Sequence, residues 1–381
     1  MPLGVYVHIP FCSHRCDYCD FATWTDRAHL VDRYLDACLL HLRRLDAAGL
    51  LAPATSVFFG GGTPSLVDGE RLAGVLTAIP LTPGAEVTVE CNPDSIDAAK
   101  LACYADAGVN RVSIGVQSMD PSVLRALNRT HDPDNVVRAV DATRRAGIGH
   151  LNLDLIYGTP GESRKSWAAT VRGAVALEPD HVSAYALTVE PATPLGRAVA
   201  HGTSRRPDDD DQADKYVLAD ELLGAHGFEW YEISNWSRAG GECMHNRLYW
   251  SGGDYLAIGC AAHGALGGRR FWNVRSPERY IAAVEEGGDP EAGSEQLAPA
   301  ERADEHFALA LRTRDGARVP AGAERIARQL ADGEMVELRD ERIVLTRAGR
   351  LMASDVTNRL LLAAERREDP RPEVALGTIE C

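Results

Sequence analysis

The chain has 381 residues, 45% of them apolar and 25% charged, which suits one large globular domain with one or two small ones. Its net charge of −15 argues against a nucleic-acid partner gripped through its phosphates, since that needs a basic face. No run approaches the roughly 20 apolar residues that span a bilayer, and the first apolar stretch, Leu3 to Ile9, is too short for a secretory signal. The expectation is a cytoplasmic protein whose nine cysteines stay reduced.

In chain order, the first predicted strand is Val5–Ile9 (VYVHI), and it runs straight into HIPFCSHRCDYCDF. An amphipathic helix follows, with Tyr34, Leu35, Cys38, Leu39 and Leu42 at helical spacing. Ser56–Phe59 is a second strand and ends on GGGTP, Gly60 to Pro64. Glu86–Glu90 is a third, closed by Asn92, with a helix that stops at Gly108. Arg111–Val116 is a fourth, followed by Gln117 and a helix ending at Gly147. Leu151–Ile156 is a fifth and leads into YGTPGE; its helix halts before Pro179. His181–Leu187 is a sixth, followed by Thr188 and Glu190.

Six strand–helix repeats predict parallel βαβ units. Their glycine-rich and polar signals fall just after each strand, the end at which β/α barrels build chemistry. The fold expectation is therefore α/β: a partial TIM-like (β/α)6 barrel over residues 1–230. A helix at Asp208–Gly227 closes it, its acidic start acting as a solvated cap. Residues 231–295 read as an aromatic- and glycine-rich connecting region with little periodicity. Residues 296–365 read as two helices, a hairpin turning on Asp340–Glu341 and a closing helix, a small α+β winged-helix-like domain. Residues 366–381 read as a disordered tail.

Cys12, Cys16 and Cys19 are the only clustered cysteines. A disulfide is disfavoured by compartment. A zinc ion completed by His8 or His14, a redox pair of Cys16 and Cys19, and an iron–sulfur cluster all remain open on spacing alone. Three thiolates on a four-iron cluster would leave one iron free to chelate a small molecule.

This C-x3-C-x2-C pattern, with Tyr18 before the last cysteine, resembles the signature of the radical S-adenosylmethionine (SAM) superfamily. That resemblance implies a partial β/α barrel and a [4Fe–4S] cluster on Cys12, Cys16 and Cys19. It also implies SAM on the open iron, cleaved by one electron to a 5'-deoxyadenosyl radical, and a glycine-rich segment, here GGGTP, against the SAM amino group. The stretches VYVHIPFC, FFGGGTPS, VTVECNPDSI, GVNRVSIGVQSMD, LNRTHD, NLDLIYGTPGES and PDHVSAYALTVEP are similar to the oxygen-independent coproporphyrinogen oxidases and their relatives. Carried over by position, Tyr6 is implied beside the SAM methionine, and Gly62 and Thr63 at its amino-acid end. Glu90 is implied at the ribose or methionine, Arg129 at the carboxylate, Gln117 and Asp154 in the pocket wall, and Thr188 near the adenosine.

The oxidases carry a fourth cysteine two residues after the third, where this chain has Phe21. The branch that lacks it, the HemW-type heme chaperones, shares EISNW (Glu232 to Trp236), HNRLYW (His245 to Trp250) and GGDYLAIGCAAHG (Gly252 to Gly264). This resemblance implies heme as cargo, passed to acceptor proteins such as those of the respiratory chain. An oxidase or other radical SAM tetrapyrrole enzyme is the alternative. His245, set among aromatic residues, and Cys243 are the candidate heme contacts, with His263 a further histidine in the same region. The sequence is compatible with a homodimer and with peripheral membrane contact, and offers no basic amphipathic helix for the latter.

Overall fold

The computed structural model describes residues 2–368, which divide into two compact units, one ending at Ala298 and one beginning at Pro299. Six strands of the first unit lie side by side in chain order and all parallel: β1 (Leu3–Ile9), β2 (Ala54–Gly61), β3 (Leu81–Cys91), β4 (Arg111–Gln117), β5 (His150–Tyr157) and β6 (His181–Ala186). Helices cross back between them. They are α1 (Val31–Ala47), α2 (Gly69–Thr77), α3 (Ala98–Asp106), α4 (Pro121–Ala126), α5 (Pro133–Arg145) and α6 (Arg164–Ala176), with α7 (Pro194–Ala200) and α8 (Asp209–Ala225) after β6. This is the partial β/α barrel that the alternation predicts.

Each strand has two faces because side chains alternate with a period of two. Val5, Val7, Ile9, Val57, Phe59, Val87, Val89, Val112, Ile114, Leu151, Leu153, Val182 and Ala184 belong to one buried apolar core. The alternate positions line the barrel interior and are polar: Thr88 and Glu90 on β3, Arg111 and Ser113 on β4, Asn152 and Asp154 on β5, His181 and Ser183 on β6. Parallel register sets them in rows, with Glu90 beside Ser113, Ser113 beside Asn152, and Asn152 beside His181. Asn152 donates to Ser113 Oγ (2.7 Å) and Asp154 Oδ1 (2.9 Å), and His181 Nδ1 meets Asn152 Oδ1 at 2.6 Å.

Residues 231–295, expected as a connecting region, build strands onto this same sheet. β7 (Glu229–Glu232) and β8 (Asn235–Ser237) add antiparallel strands beyond β6. After α9 (Met244–Trp250), β9 (Asp254–Ile258) pairs parallel with β1. β10 (His263–Leu266), β11 (Arg269–Asn273) and, past α10 (Pro277–Glu285), β12 (Glu291–Gln296) continue outward antiparallel. Among the described residues the sheet has 12 strands. The acidic start of α8 forms as expected: Asp208 caps Asp211 N at 2.9 Å. Asp211 also pairs with the buried Lys215 at 2.6 Å, which lies 3.3 Å from Glu162.

The second unit contains α11 (Pro299–Leu311), β13 (Ala317–Arg318), α12 (Glu324–Asp332), β14 (Val336–Arg339), β15 (Arg342–Leu345), α13 (Arg347–Leu351) and α14 (Ala353–Glu368). Its three strands are ordered β13-β15-β14. The β14–β15 hairpin turns on Asp340, whose φ is 54°, a conformation Asp tolerates better than most residues. Leu311, Leu330, Ile343, Leu345, Val356 and Leu360 form its buried interior. Of the tail expected at 366–381, residues up to 368 close α14 and the rest lie outside the described residues.

Candidate functional site

A pocket of about 610 Å³ opens at the C-terminal ends of the barrel strands. The loop after β1 supplies Cys12, Cys16 and Cys19 to its wall. The loop's two ends are clipped together, Trp24 N to Pro10 O at 2.8 Å and Cys12 N to Trp24 O at 3.1 Å. A tight turn joins Cys19 N to Cys16 O at 3.2 Å. Asp17 fastens the loop's middle, its carbonyl accepting Leu195 N and its carboxylate accepting Asn128 Nδ2, both at 2.9 Å. Beneath it, His8 Nε2 lies 3.0 Å from Ala22 O. A carbonyl can only accept, so Nε2 carries the proton and Nδ1 accepts from Tyr6 Oη at 3.1 Å. Burial lowers the His8 pKa to about 4, so the ring is a neutral strut under the loop.

Each thiol is partly exposed. Thr63 Oγ1 lies 3.5 Å from Cys12 Sγ, and Arg129 Nη1 lies 3.5 Å from Cys16 Sγ. Burial pushes the Cys12 and Cys19 thiols up from their ordinary pKa. Among the described residues, no three Cys, His, Asp or Glu side chains converge on one metal-ion position. All three cysteines line the pocket from this one loop. Phe21, at the position of the oxidases' fourth cysteine, also lines the pocket and is 66% exposed.

The expected SAM residues come together on this pocket with one exception. Gly62, Thr63, Glu90, Gln117, Arg129, Asp154 and Thr188 all line it. Gly62 is required by close approach: a Cβ there would sit 2.7 Å from Phe11 O and 2.8 Å from Ile9 O. Gly61 takes φ 108° and donates its N–H to Glu90 Oε2 at 3.1 Å. Burial and the nearby Asp154 carboxylate push the Glu90 pKa up to about 8. Asp154, also raised by burial, accepts from Ser113 Oγ at 2.6 Å. Gln117 sits at φ 61° on a register shift in β4. Arg129 Nη2 donates to Gly115 O at 3.0 Å, and its buried Nε has no protein partner among the described residues. Tyr6 is the exception. It lies deeper, on the wall of an inner chamber of about 220 Å³. The pocket also takes in Asn128, Ser113 and Tyr185, which sequence reasoning passed over. Ser113 and Tyr185 were readable as inward positions of alternating strands.

Cys243 and His245 stand elsewhere, against Ser56 and Phe58 of β2 and Glu86 of β3. Cys243 is buried and its thiol meets Glu86 Oε1 at 3.3 Å, while burial pushes its pKa above the ordinary value. His245 is 0% exposed. Its Nδ1 meets Ser56 Oγ at 2.9 Å and its Nε2 meets Tyr249 Oη at 2.8 Å. Its ring stacks on Phe58 with centroids 5.3 Å apart. Burial lowers its pKa to about 3. His263 is exposed on β10 and stacks on Trp272 at 6.0 Å. No helix among the described residues is long and apolar enough to cross a membrane.

Residues 6–173 match the radical SAM superfamily. The chain is 46% identical over 372 residues to the heme chaperone HemW of Mycobacterium tuberculosis, covering 94% of this chain and 95% of that one. It is 32% identical over 369 residues to the heme chaperone HemW of Bacillus subtilis, covering 93% and 97%. Among solved structures, coproporphyrinogen III oxidase (HemN) of Escherichia coli, described as a radical SAM enzyme, shares the fold. Its TM-score is 0.81 at 22% identity, covering 94% of this chain and 90% of that one.

Proposed function

The chain belongs to the HemW family of radical SAM proteins, and on that premise we propose that it is a heme chaperone. It binds heme and passes it to acceptor proteins, respiratory-chain proteins among them, while carrying a [4Fe–4S] cluster and SAM. The observation that carries the reading is the rim pocket itself. Three thiols line it, and a phenylalanine stands where the related oxidases place a fourth.

The donor set fits the cluster. In a multi-iron cluster each thiolate takes its own iron, and three thiols presented by one loop at one pocket wall suit that. Cys12, Cys16 and Cys19 would hold three irons, and SAM would chelate the fourth. When bound, the reduced cluster supplies the electron that can cleave SAM. The protein's own contribution is placement. The Gly61–Gly62 backbone allows close approach, Arg129 offers a guanidinium for a carboxylate, and Glu90, Gln117, Asp154 and Thr188 complete the wall. Tyr6 acts on this site from below, through its hydrogen bond to His8.

Heme contact at His245 and Cys243 belongs to the same proposal, and the fold sets its condition. Both imidazole nitrogens already have partners, so ligation requires one to be given up: Nε2 by breaking its bond to Tyr249 within α9, or Nδ1 by parting from Ser56.

The test is anaerobic reconstitution followed by iron and sulfide analysis and a heme titration read at the Soret band. The expected result is four irons per chain, lost in alanine variants of the three cysteines, and one saturable heme. Zinc without iron, or no saturable Soret change, overturns the reading. Decarboxylated product from coproporphyrinogen would replace it with the oxidase reading.

A further inference from the structure

Below the rim pocket, the inner chamber of about 220 Å³ occupies the barrel interior. Its upper wall, Glu90, Ser113, Asp154 and Tyr185, is shared with the rim pocket. Its lower wall is the HNRLYW segment, through Asn246 and Tyr249, together with Cys243. Two hydrogen-bonding groups in the wall have no protein partner among the described residues: Thr88 Oγ1 and Arg111 Nη1. Both residues are at most 2% exposed. The rest of the Arg111 guanidinium is fully used. Nε donates to Glu86 Oε2 at 2.9 Å, and Nη2 donates to the carbonyls of Gly241 and Glu242 at 3.0 Å. Buried polar groups in folded proteins nearly always find partners, so two orphaned groups beside one cavity point to an occupant.

We infer that the inner chamber is a binding site for a short-chain monocarboxylate, its carboxylate held by Arg111 Nη1 and Thr88 Oγ1 and its carbon chain lying against the rings of Tyr6, Phe58 and Tyr249. The donors are right for an oxyanion: two N–H from a guanidinium and one hydroxyl. The aromatic walls are right for a few methylenes. The chamber is smaller than the roughly 300 Å³ at which sites for drug-sized ligands begin, so a whole tetrapyrrole is excluded. A dianion is also disfavoured. The Arg111 charge is already balanced by Glu86, and Asp154 adds a further carboxyl. Glu90, pushed up to about 8, is largely protonated at neutral pH and does not repel a single negative charge. The carboxylate has two sources of one chemistry: a free small acid, or the carboxylate arm of a larger ligand whose body lies outside the chamber.

The experiment uses the anaerobically reconstituted full chain and propionate labelled with carbon-13 at the carboxylate, titrated by NMR. Saturable binding of one propionate per chain is expected, with no saturable binding of propionamide or inorganic phosphate. Thr88→Val, which keeps the shape, should weaken it about fivefold, the loss of one hydrogen bond. The double variant E86Q/R111M removes the ion pair together, so neither charge is left buried alone, and should abolish binding in a chain whose melting confirms folding. The surface change Arg15→Gln should leave it unaltered. Absence of saturable binding in folded wild type, or binding that both Thr88→Val and E86Q/R111M leave unchanged, overturns the site. Displacement of propionate by heme but not by heme dimethyl ester assigns the carboxylate arm as the source; displacement by neither assigns the free acid. Only that last arm rests on the heme reading, so the two proposals fail separately.

Discussion

Glu86 Oε1 accepts the backbone N–H of His245 at 3.0 Å, joining residues 159 apart in the chain. The same carboxylate accepts Met244 N at 3.0 Å and Arg111 Nε at 2.9 Å. It therefore caps the first turn of the helix that carries the HNRLYW segment while serving as the buried counter-ion of β4. An anion at a helix N-terminus is favourable, and a buried carboxylate is tolerable only when so fully bonded. Truncating it by Glu86→Ala leaves Arg111 charged and unpaired in the barrel. The expected cost is about 3–5 kcal/mol, read as a lower urea midpoint, whereas Glu86→Gln should cost less because it keeps an acceptor for α9.

Gly62→Ala tests the floor of the cysteine loop. The new Cβ would fall within 3.0 Å of three backbone atoms of Ile9 and Phe11, and backbone cannot step aside as a side chain can. The barrel's apolar face is untouched. The expected variant is folded by circular dichroism yet takes up much less iron on reconstitution and fails to bind SAM. Full iron and SAM binding would show that the loop accommodates the methyl group.

Arg129→Lys keeps the charge and loses the fork. Arg129 spans Gly115 O, 3.0 Å away, and Cys16 Sγ, 3.5 Å away, a reach that a single ammonium cannot reproduce. SAM affinity measured by calorimetry should fall about tenfold, the loss of roughly one charge-assisted hydrogen bond, with iron content unchanged. Equal affinity in the variant would remove Arg129 from the SAM carboxylate.

Much of this arrangement was legible in the chain. VYVHI, SVFF, EVTVE, RVSIGV, LNLDLI and HVSAYAL read as strands because their outward positions are apolar and β-rich, and the glycines and cysteines after them mark the rim. Less legible is the meaning of the alternate letters. Thr88, Arg111, Ser113, Asn152 and His181 look locally like ordinary polar residues within strands, but a period of two aims all of them into one lumen. The strands at 229–296 are less legible for a different reason. They are 3–6 residues long and of mixed polarity, so their pairing is set by the sheet edges they complete rather than by local pattern. The depth of His245 was likewise beyond reach, since Ser56 and Glu86 meet it only after the barrel closes.

Buried neutral histidines make the protein acid-labile. His245 titrates near 3 and His41 near 4 in the folded chain, both because burial disfavours the imidazolium. Their unfolded value is about 6.5. Between these values the unfolded state binds more protons, so stability is complete above about pH 6.5 and falls as pH falls toward the folded values. Each such group contributes a slope of up to about 1.4 kcal/mol per pH unit. His41→Asn should flatten the decline in stability between about pH 6 and 4 by that amount. An unchanged slope would mean that His41 is solvated and protonated in the native state.

Tyr249→Phe decides whether heme reaches His245. In the folded chain Tyr249 Oη and Ser56 Oγ occupy the two imidazole nitrogens; Tyr249 lies on α9 with His245, so a ligand reaches Nε2 only when the Tyr249–His245 hydrogen bond within the helix opens. Removing one hydroxyl withdraws one hydrogen bond, worth about 1 kcal/mol, and raises the opened population about fivefold. If ligation passes through that state, the stopped-flow Soret rise should quicken about fivefold in Tyr249→Phe and vanish in His245→Ala, because opening precedes capture. If the rise is the same in all three proteins, His245 is a structural residue of the barrel base. His263, already exposed and stacked on Trp272, would then be the next candidate ligand.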